Sequence, residues 1–173
     1  MQDIYERARS VRVAIFDVDG VLTDGTLYYS PAGEEIKAFN VLDGHGMKML
    51  QDSGVKLAII SSRSAPSVEE RARNLGVDFV YQGAGEKLAA LDALLGRCGL
   101  AADACSFIGD DAADLPVMQR CGLAASVPDA PAPVRWAAHY VTRARGGRGA
   151  ARELCELIIY ARGARSPQTN GRA

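Results

Sequence analysis

The amino-acid sequence predicts an α/β domain built on a doubly wound parallel sheet, with a β-hairpin inserted near its start. Two observations predict it: short, nearly continuous apolar runs alternate with helical segments, and acidic or hydroxyl residues recur directly after several of those runs. Strands buried on both faces belong to parallel sheets, and repeated βα units place ligands outside the carboxyl ends of the strands.

Taken in order, Val11–Phe16 is an apolar run that stops at Asp17 and reads as a central strand. Two β-prone runs around Pro31-Ala32-Gly33 then read as a hairpin over residues 26–39, outside the alternating order. From Asp43 the order becomes regular. A helix to about Ser53 precedes the strand Val55–Ile60, and a helix over Pro66–Leu75 precedes the strand Asp78–Tyr81. The helix Glu86–Arg97, strand Cys105–Ile108, helix Ala113–Arg120 and strand Leu123–Val127 continue the alternation. Helical Ala132–Ala137, the strand His139–Thr142 and a helix over Gly149–Ala161 complete a single domain over residues 11–162. Residues 1–10 read as a polar extension, and residues 163–173, which have no aliphatic side chain larger than alanine, as a flexible tail.

With 48% hydrophobic residues among 173, the chain can bury a core without disulfides or a structural metal. A net charge of −1 with no long single-sign run excludes binding to nucleic acid or an anionic membrane through an overall field, and leaves a small molecule as the expected partner. No stretch resembles a signal peptide or approaches the roughly 20 apolar residues of a spanning helix, so a cytoplasmic enzyme is expected. Cys98, Cys105, Cys121 and Cys155 form no CxxC pair and read as core residues.

The chemistry is concentrated after three of the strands: Asp17 and Asp19 after the first, Ser61 after the second, and Asp110, Asp111 and Asp114 after Ile108-Gly109. Carboxylates converging on one point repel unless a hard cation neutralises them, and oxygen-only ligands suit Mg²⁺. Asp17 and Asp19, two apart in extended backbone, share a face, so one can attack while the other handles a proton. Lys87 and the Ser61 hydroxyl suit the non-bridging oxygens of a phosphoryl group.

Asp17-Val18-Asp19-Gly20-Val21-Leu22-Thr23-Asp24-Gly25, Ser61-Ser62-Arg63, Lys87 and Gly109-Asp110-Asp111-Ala112-Ala113-Asp114 resemble, in order, the four motifs of haloacid dehalogenase-type phosphatases. The resemblance implies that Asp17 is the nucleophile, that Asp19 is the general acid/base, and that Ser61 and Lys87 hold the phosphoryl group. It implies Mg²⁺ held by Asp17, the backbone carbonyl of Asp19 and Asp110, with Asp111 and Asp114 in support. The hairpin, Phe39-Asn40-Val41-Leu42-Asp43-Gly44-His45-Gly46, Tyr81-Gln82-Gly83 and Gly146-Gly147-Arg148-Gly149-Ala150 extend the resemblance to the phosphatases of 3-deoxy-D-manno-octulosonate 8-phosphate, a lipopolysaccharide precursor. That family implies a domain without a separate cap, and a homotetramer with shared active sites whose hairpins meet centrally. The substrate implied is a small phosphorylated sugar acid, with Arg63 as its carboxylate reader.

Blander readings stand beside these. Asp111 and Asp114 suit a helix N-terminus, Arg63 suits an exposed surface, and His45 is equally a loop residue or a substrate contact. His139, at the start of an apolar strand, reads as structural, and Gly146–Gly149 reads weakly as an anion nest. A phosphatase of a nine-carbon keto-acid 9-phosphate is the alternative substrate reading, though related enzymes tend to carry Glu where this chain has Arg63. A phospho-accepting receiver-type signalling domain also gathers acids, a hydroxyl and a lysine around Mg²⁺. Its acceptor aspartate follows a mid-chain strand, where this chain has Ser61.

Overall fold

The computed structural model describes residues 2–163, so the tail expected over residues 163–173 lies outside the described residues apart from Gly163. Its elements, in chain order, are α1 (Gln2–Ser10), β1 (Val13–Phe16), β2 (Tyr28–Tyr29), β3 (Glu35–Ile36), α2 (Val41–Asp52) and β4 (Lys56–Ile60). They continue with α3 (Pro66–Leu75), β5 (Phe79–Tyr81), α4 (Lys87–Cys98), β6 (Cys105–Gly109), α5 (Leu115–Met118), β7 (Leu123–Ser126), α6 (Ala132–Ala137), β8 (Tyr140–Val141) and α7 (Ala150–Ala161).

Six strands form one parallel sheet in the order β5-β4-β1-β6-β7-β8. The chain starts at the centre, winds outward through β4 and β5, and returns to the other side of β1 for β6, β7 and β8. This reversal is a switch point, where neighbouring connections diverge and leave a crevice above the strand ends. Every residue of β1 is fully buried, as is Phe107 on β6, which explains the unbroken apolar runs. The helices form two mutually packed groups: α2 against α3 and α7, with α7 also against α1, and α5 against α4 and α6.

The hairpin is present as a separate antiparallel pair, Tyr28 opposite Ile36 and Tyr29 opposite Glu35, and no larger insertion interrupts the described residues. Residues 2–10, expected as an extension, are helical and tied to the domain. Arg7 donates to the Gly122 carbonyl at 2.9 Å and Arg9 to the Ala161 carbonyl at 3.0 Å. The helix expected over Ala113–Arg120 is shorter, a 3₁₀ turn at Ala112–Asp114 followed by α5, because the first turn is taken over by side-chain capping.

Several glycine-rich motifs prove to be packing devices. Asp43 is buried in the first turn of α2 and accepts from the backbone N–H of Gly149 at 3.2 Å and of Arg152 at 2.9 Å, so one carboxylate joins α2 to the start of α7. Asn40 caps α2 through Leu42 N–H at 2.7 Å and donates to the Gly147 carbonyl at 3.2 Å. A Cβ at Gly146 would lie 1.8 Å from the Gly20 carbonyl oxygen, and Gly147 N–H donates to Val21 at 2.8 Å. The Gly146–Gly149 loop thus presses on the backbone after β1. His45 is exposed, and His139 accepts from Ala124 N–H at 2.9 Å, as a structural histidine would.

Candidate active site

β4, β1 and β6 are neighbours, so the residues that follow them converge without any long loop. Phe16 pairs with Ile59 on one side and Ile108 on the other, and Asp17 N–H continues the ladder by donating to Ile108 at 3.1 Å. The resulting cavity of about 220 Å³ is lined by Asp17, Asp19, Ser61, Arg63, Lys87, Asp110, Asp111 and Asp114, among others. All eight residues singled out in the sequence are therefore brought together.

Their environments differ. Lys87 opens α4 and its buried ammonium bridges Asp17 at 2.9 Å and Asp114 at 2.6 Å. Burial alone would lower its pKa, but the two carboxylates outweigh burial and raise it. Asp114 is fully buried and also accepts from the N–H groups of Asp110 at 2.9 Å and Asp111 at 3.1 Å. Its oxygens are thus used in shaping the turn and holding Lys87. Asp111 is exposed and accepts from Ala112 N–H at 2.7 Å, a helix-start role. Ser61 is buried, with its N–H donating to Tyr81 and its carbonyl accepting from Ala84, which leaves the hydroxyl facing the cavity residues.

Glycines permit this crowding. At Gly109 a Cβ would meet the Asp114 carboxylate at 2.4 Å, and at Gly20, where φ is +79°, it would meet an Asp110 oxygen at 2.0 Å. Asp110 therefore lies directly against the backbone after Asp19.

Asp17, Asp110 and Asp114 each offer an oxygen within 4.8 Å of the others. Burial first, then the charges of Asp114 for Asp17 and of Asp17 for Asp110, push these two acids up to about 6 and about 7. Asp110 has no hydrogen-bond or ion-pair partner for its carboxylate among the described residues. Partly buried carboxylates that repel one another and lack enough protein cations fit a hard divalent ion, and Asp17 and Asp110 could hold it with nearby backbone oxygen. Asp114, committed to Lys87 and two N–H groups, fits a supporting place.

The hairpin supplies residues that the sequence reading did not assign to the site. Lys37, with 3% of its side chain exposed, lies 2.5 Å from Asp19 Oδ1 and 2.6 Å from Glu35 Oε1. Glu35 also pairs with Arg63, whose Nε is 3.7 Å from Asp19 Oδ2. Arg63 is thus exposed yet already engaged. Glu35 and Lys37 alternate along the hairpin around exposed Ile36, and that two-residue spacing was the signal for a polar inward face. Phe39, the last residue of the expected hairpin, instead packs partly against the core, with Arg71 over its ring at 5.9 Å. It follows the strand and belongs to the entry into α2.

A haloacid dehalogenase-like hydrolase family model matches residues 78–154. The chain is 46% identical to the 3-deoxy-D-manno-octulosonate 8-phosphate phosphatase of Yersinia pestis, covering 92% of this chain and 85% of the relative. It is 45% identical to the phosphatase of that name from Escherichia coli K12, over 93% of this chain and 86% of the relative. The crystal structure of the Moraxella catarrhalis phosphatase in complex with a magnesium ion, a phosphate ion and a KDO molecule superposes with a TM-score of 0.92. It is 42% identical and each chain is 94% covered.

The raised acid at Asp110 gives a pH test. A carboxyl group whose folded pKa is about 7 against an ordinary 3.8 contributes stability below about pH 4 and loses it as pH rises through 7. In chelator, Asp110→Asn is expected to melt at a higher temperature than the unsubstituted protein at pH 8, with the difference shrinking toward pH 4. Added Mg²⁺ is expected to reverse the order, since only the intact carboxylate gains from the ion. Thermal melts across pH, with and without chelator, check both parts.

Proposed function

The chain belongs to the haloacid dehalogenase-like hydrolases, among the 3-deoxy-D-manno-octulosonate 8-phosphate phosphatases, and from that premise we propose that it hydrolyses this eight-carbon sugar-acid phosphate through a phosphoaspartate on Asp17. The enzyme is a phosphoric monoester hydrolase of lipopolysaccharide precursor synthesis and uses Mg²⁺. The observation that carries the mechanism is the single cavity joining Asp17, Asp19, Ser61, Lys87 and Asp110. The nine-carbon substrate is not favoured, since the relatives at this identity are named for the octulosonate.

Asp17 attacks phosphorus in line, and the bond to the leaving oxygen breaks with its electron pair on that oxygen. Asp19 gives that oxygen its proton and the sugar acid departs. Asp19 then takes a proton from water as the water oxygen attacks phosphorus, and the Asp17–phosphorus bond breaks to restore the carboxylate. Lys87 and the Ser61 hydroxyl hold non-bridging oxygens throughout, with Lys87 kept charged and aimed by Asp114. Asp17, Asp110 and the Asp19 carbonyl would hold Mg²⁺, which would supply Lewis-acid neutralisation of the phosphoryl charge. No helix among the described residues is long and apolar enough to cross a membrane.

The cavity is small beside the roughly 300–1,000 Å³ of ordinary ligand sites, so the phosphoryl end fits and the sugar acid extends outward past Arg63. Arg63 reads the carboxylate by exchanging its Glu35 partner for the substrate. Tyr28 and Ile36, opposite each other, leave the hairpin with an exposed apolar face, and Leu27, Val41 and Leu42 are exposed as well. Such a face favours association, and a homotetramer with its hairpins at the centre would cover the open side of the site.

Asp17→Asn is expected to abolish phosphate release from the octulosonate phosphate while leaving the thermal melt intact, because the amide cannot form the acyl phosphate. More than a few per cent of residual turnover, with deamidation excluded, would remove Asp17 from the nucleophile role. Arg63→Ala is expected to lower kcat/KM on that substrate about tenfold more than on a carboxylate-free phosphate ester. Loss of a charge-assisted contact is worth about 1.5–3 kcal/mol, and the Glu35 exchange takes part of it back. Equal losses on both substrates would assign Arg63 to shaping the site. Light scattering is expected to report a tetramer that dissociates when Tyr28 and Ile36 are both replaced by Ser, and a fully active monomer would refute the shared site.

A further inference from the structure

We propose that Lys37 is a positioning residue for Asp19: by holding Oδ1 it fixes Oδ2 as the oxygen that exchanges the proton with the leaving group and with water. The inference rests on the acid/base reading of Asp19 given above and adds to it a residue from the hairpin. Oδ1 of Asp19 accepts from the Lys37 ammonium at 2.5 Å, while Oδ2 is buried with no hydrogen-bond partner among the described residues. A buried carboxylate oxygen without a donor is costly unless it has work to do, and Asp19 is one of the residues lining the cavity that holds Asp17. Arg63 Nε, 3.7 Å from it, lies beyond hydrogen-bonding distance.

The remaining geometry favours positioning over substrate binding. Lys37 is nearly enclosed, and its ammonium is shared between Asp19 and Glu35, so none of it faces the cavity as a free phosphate ligand. Lys37 is also absent from the residues lining the cavity. Because Glu35 stands on the other side, a proton on Asp19 Oδ2 does not strip the ammonium of its partners. A lysine is long enough to reach from the hairpin while its stem stays packed, and rotation of the Asp19 carboxylate would break a short charged contact. The proton is thereby aimed at one oxygen before substrate arrives, which is the preorganisation that general acid catalysis requires.

The proposal separates leaving groups. An alkoxide needs a proton as it departs, whereas p-nitrophenolate leaves without one. In the Mg²⁺-loaded enzyme, kcat/KM covers the steps up to departure of the alcohol. Lys37→Met is expected to lower kcat/KM for a primary alkyl phosphate at least tenfold more than for p-nitrophenyl phosphate, and Lys37→Arg to restore most of the difference. With the aryl ester, Lys37→Met is also expected to show a burst of p-nitrophenolate, since water attack on the phosphoaspartate slows too. The ratio of the two substrates on one preparation is independent of the folded fraction, so partial misfolding cannot mimic the result.

Equal losses on both substrates without a burst would overturn the role of Lys37. Asp19→Asn distinguishes the two levels of failure. If it discriminates between the substrates and Lys37→Met does not, Lys37 alone is excluded. If Asp19→Asn loses equally on both, the acid/base reading of Asp19 fails and the role of Lys37 falls with it.

Discussion

Buried repulsion among carboxylates is the constraint on which the rest of this structure depends. Asp17, Asp19, Asp110 and Asp114 follow adjacent strands β1 and β6 and face one cavity, where burial and mutual charge push Asp17 and Asp110 well above the ordinary carboxylate range. The protein answers with fixed cations and donors. Lys87 from α4 stands between Asp17 and Asp114, two N–H groups of the β6 turn hold Asp114, and Lys37 from the hairpin stands between Asp19 and Glu35. Asp110 keeps no such partner among the described residues, and that deficit is what makes the place suited to Mg²⁺.

This arrangement gives each carboxylate of the Asp17-Val18-Asp19 pair its own lysine. Asp17 is served by a lysine in the first turn of a helix within the wound sheet, and Asp19 by a lysine on an insertion. The two acids therefore answer to different parts of the molecule. Displacement of the hairpin would disturb Asp19 while leaving Asp17 and its lysine in place. An oligomer contact on the outer, apolar side of the hairpin would in turn steady Lys37 and Glu35 on its inner side, because Ile36 lies between them in the chain.

Close approach is the second condition. Gly20 admits Asp110, Gly109 admits Asp114, and Gly146 admits the backbone after β1, each to within a distance that a Cβ would occupy. Asp43 and Asn40 then tie the Gly146–Gly149 loop to α2. Stretches that look functional because they are rich in glycine and acids thus divide into those that touch the cavity and those that press one loop on another so that the cavity keeps its shape.

Much of this was legible in the chain alone. Apolar runs ending in acids specified a parallel sheet and marked which strand ends carry chemistry, since periodicity and the hydrophobic effect act locally and leave a direct trace. All eight residues of the expected site face one cavity for that reason. Tertiary structure alone decided that Asp114 shapes the turn and holds Lys87, that Arg63 is engaged by Glu35, that Phe39 turns to the core, and that Lys37 reaches Asp19. Each of these depends on which partner lies across a gap between segments far apart in sequence, and a long charged side chain can satisfy its charge in many places until the fold selects one.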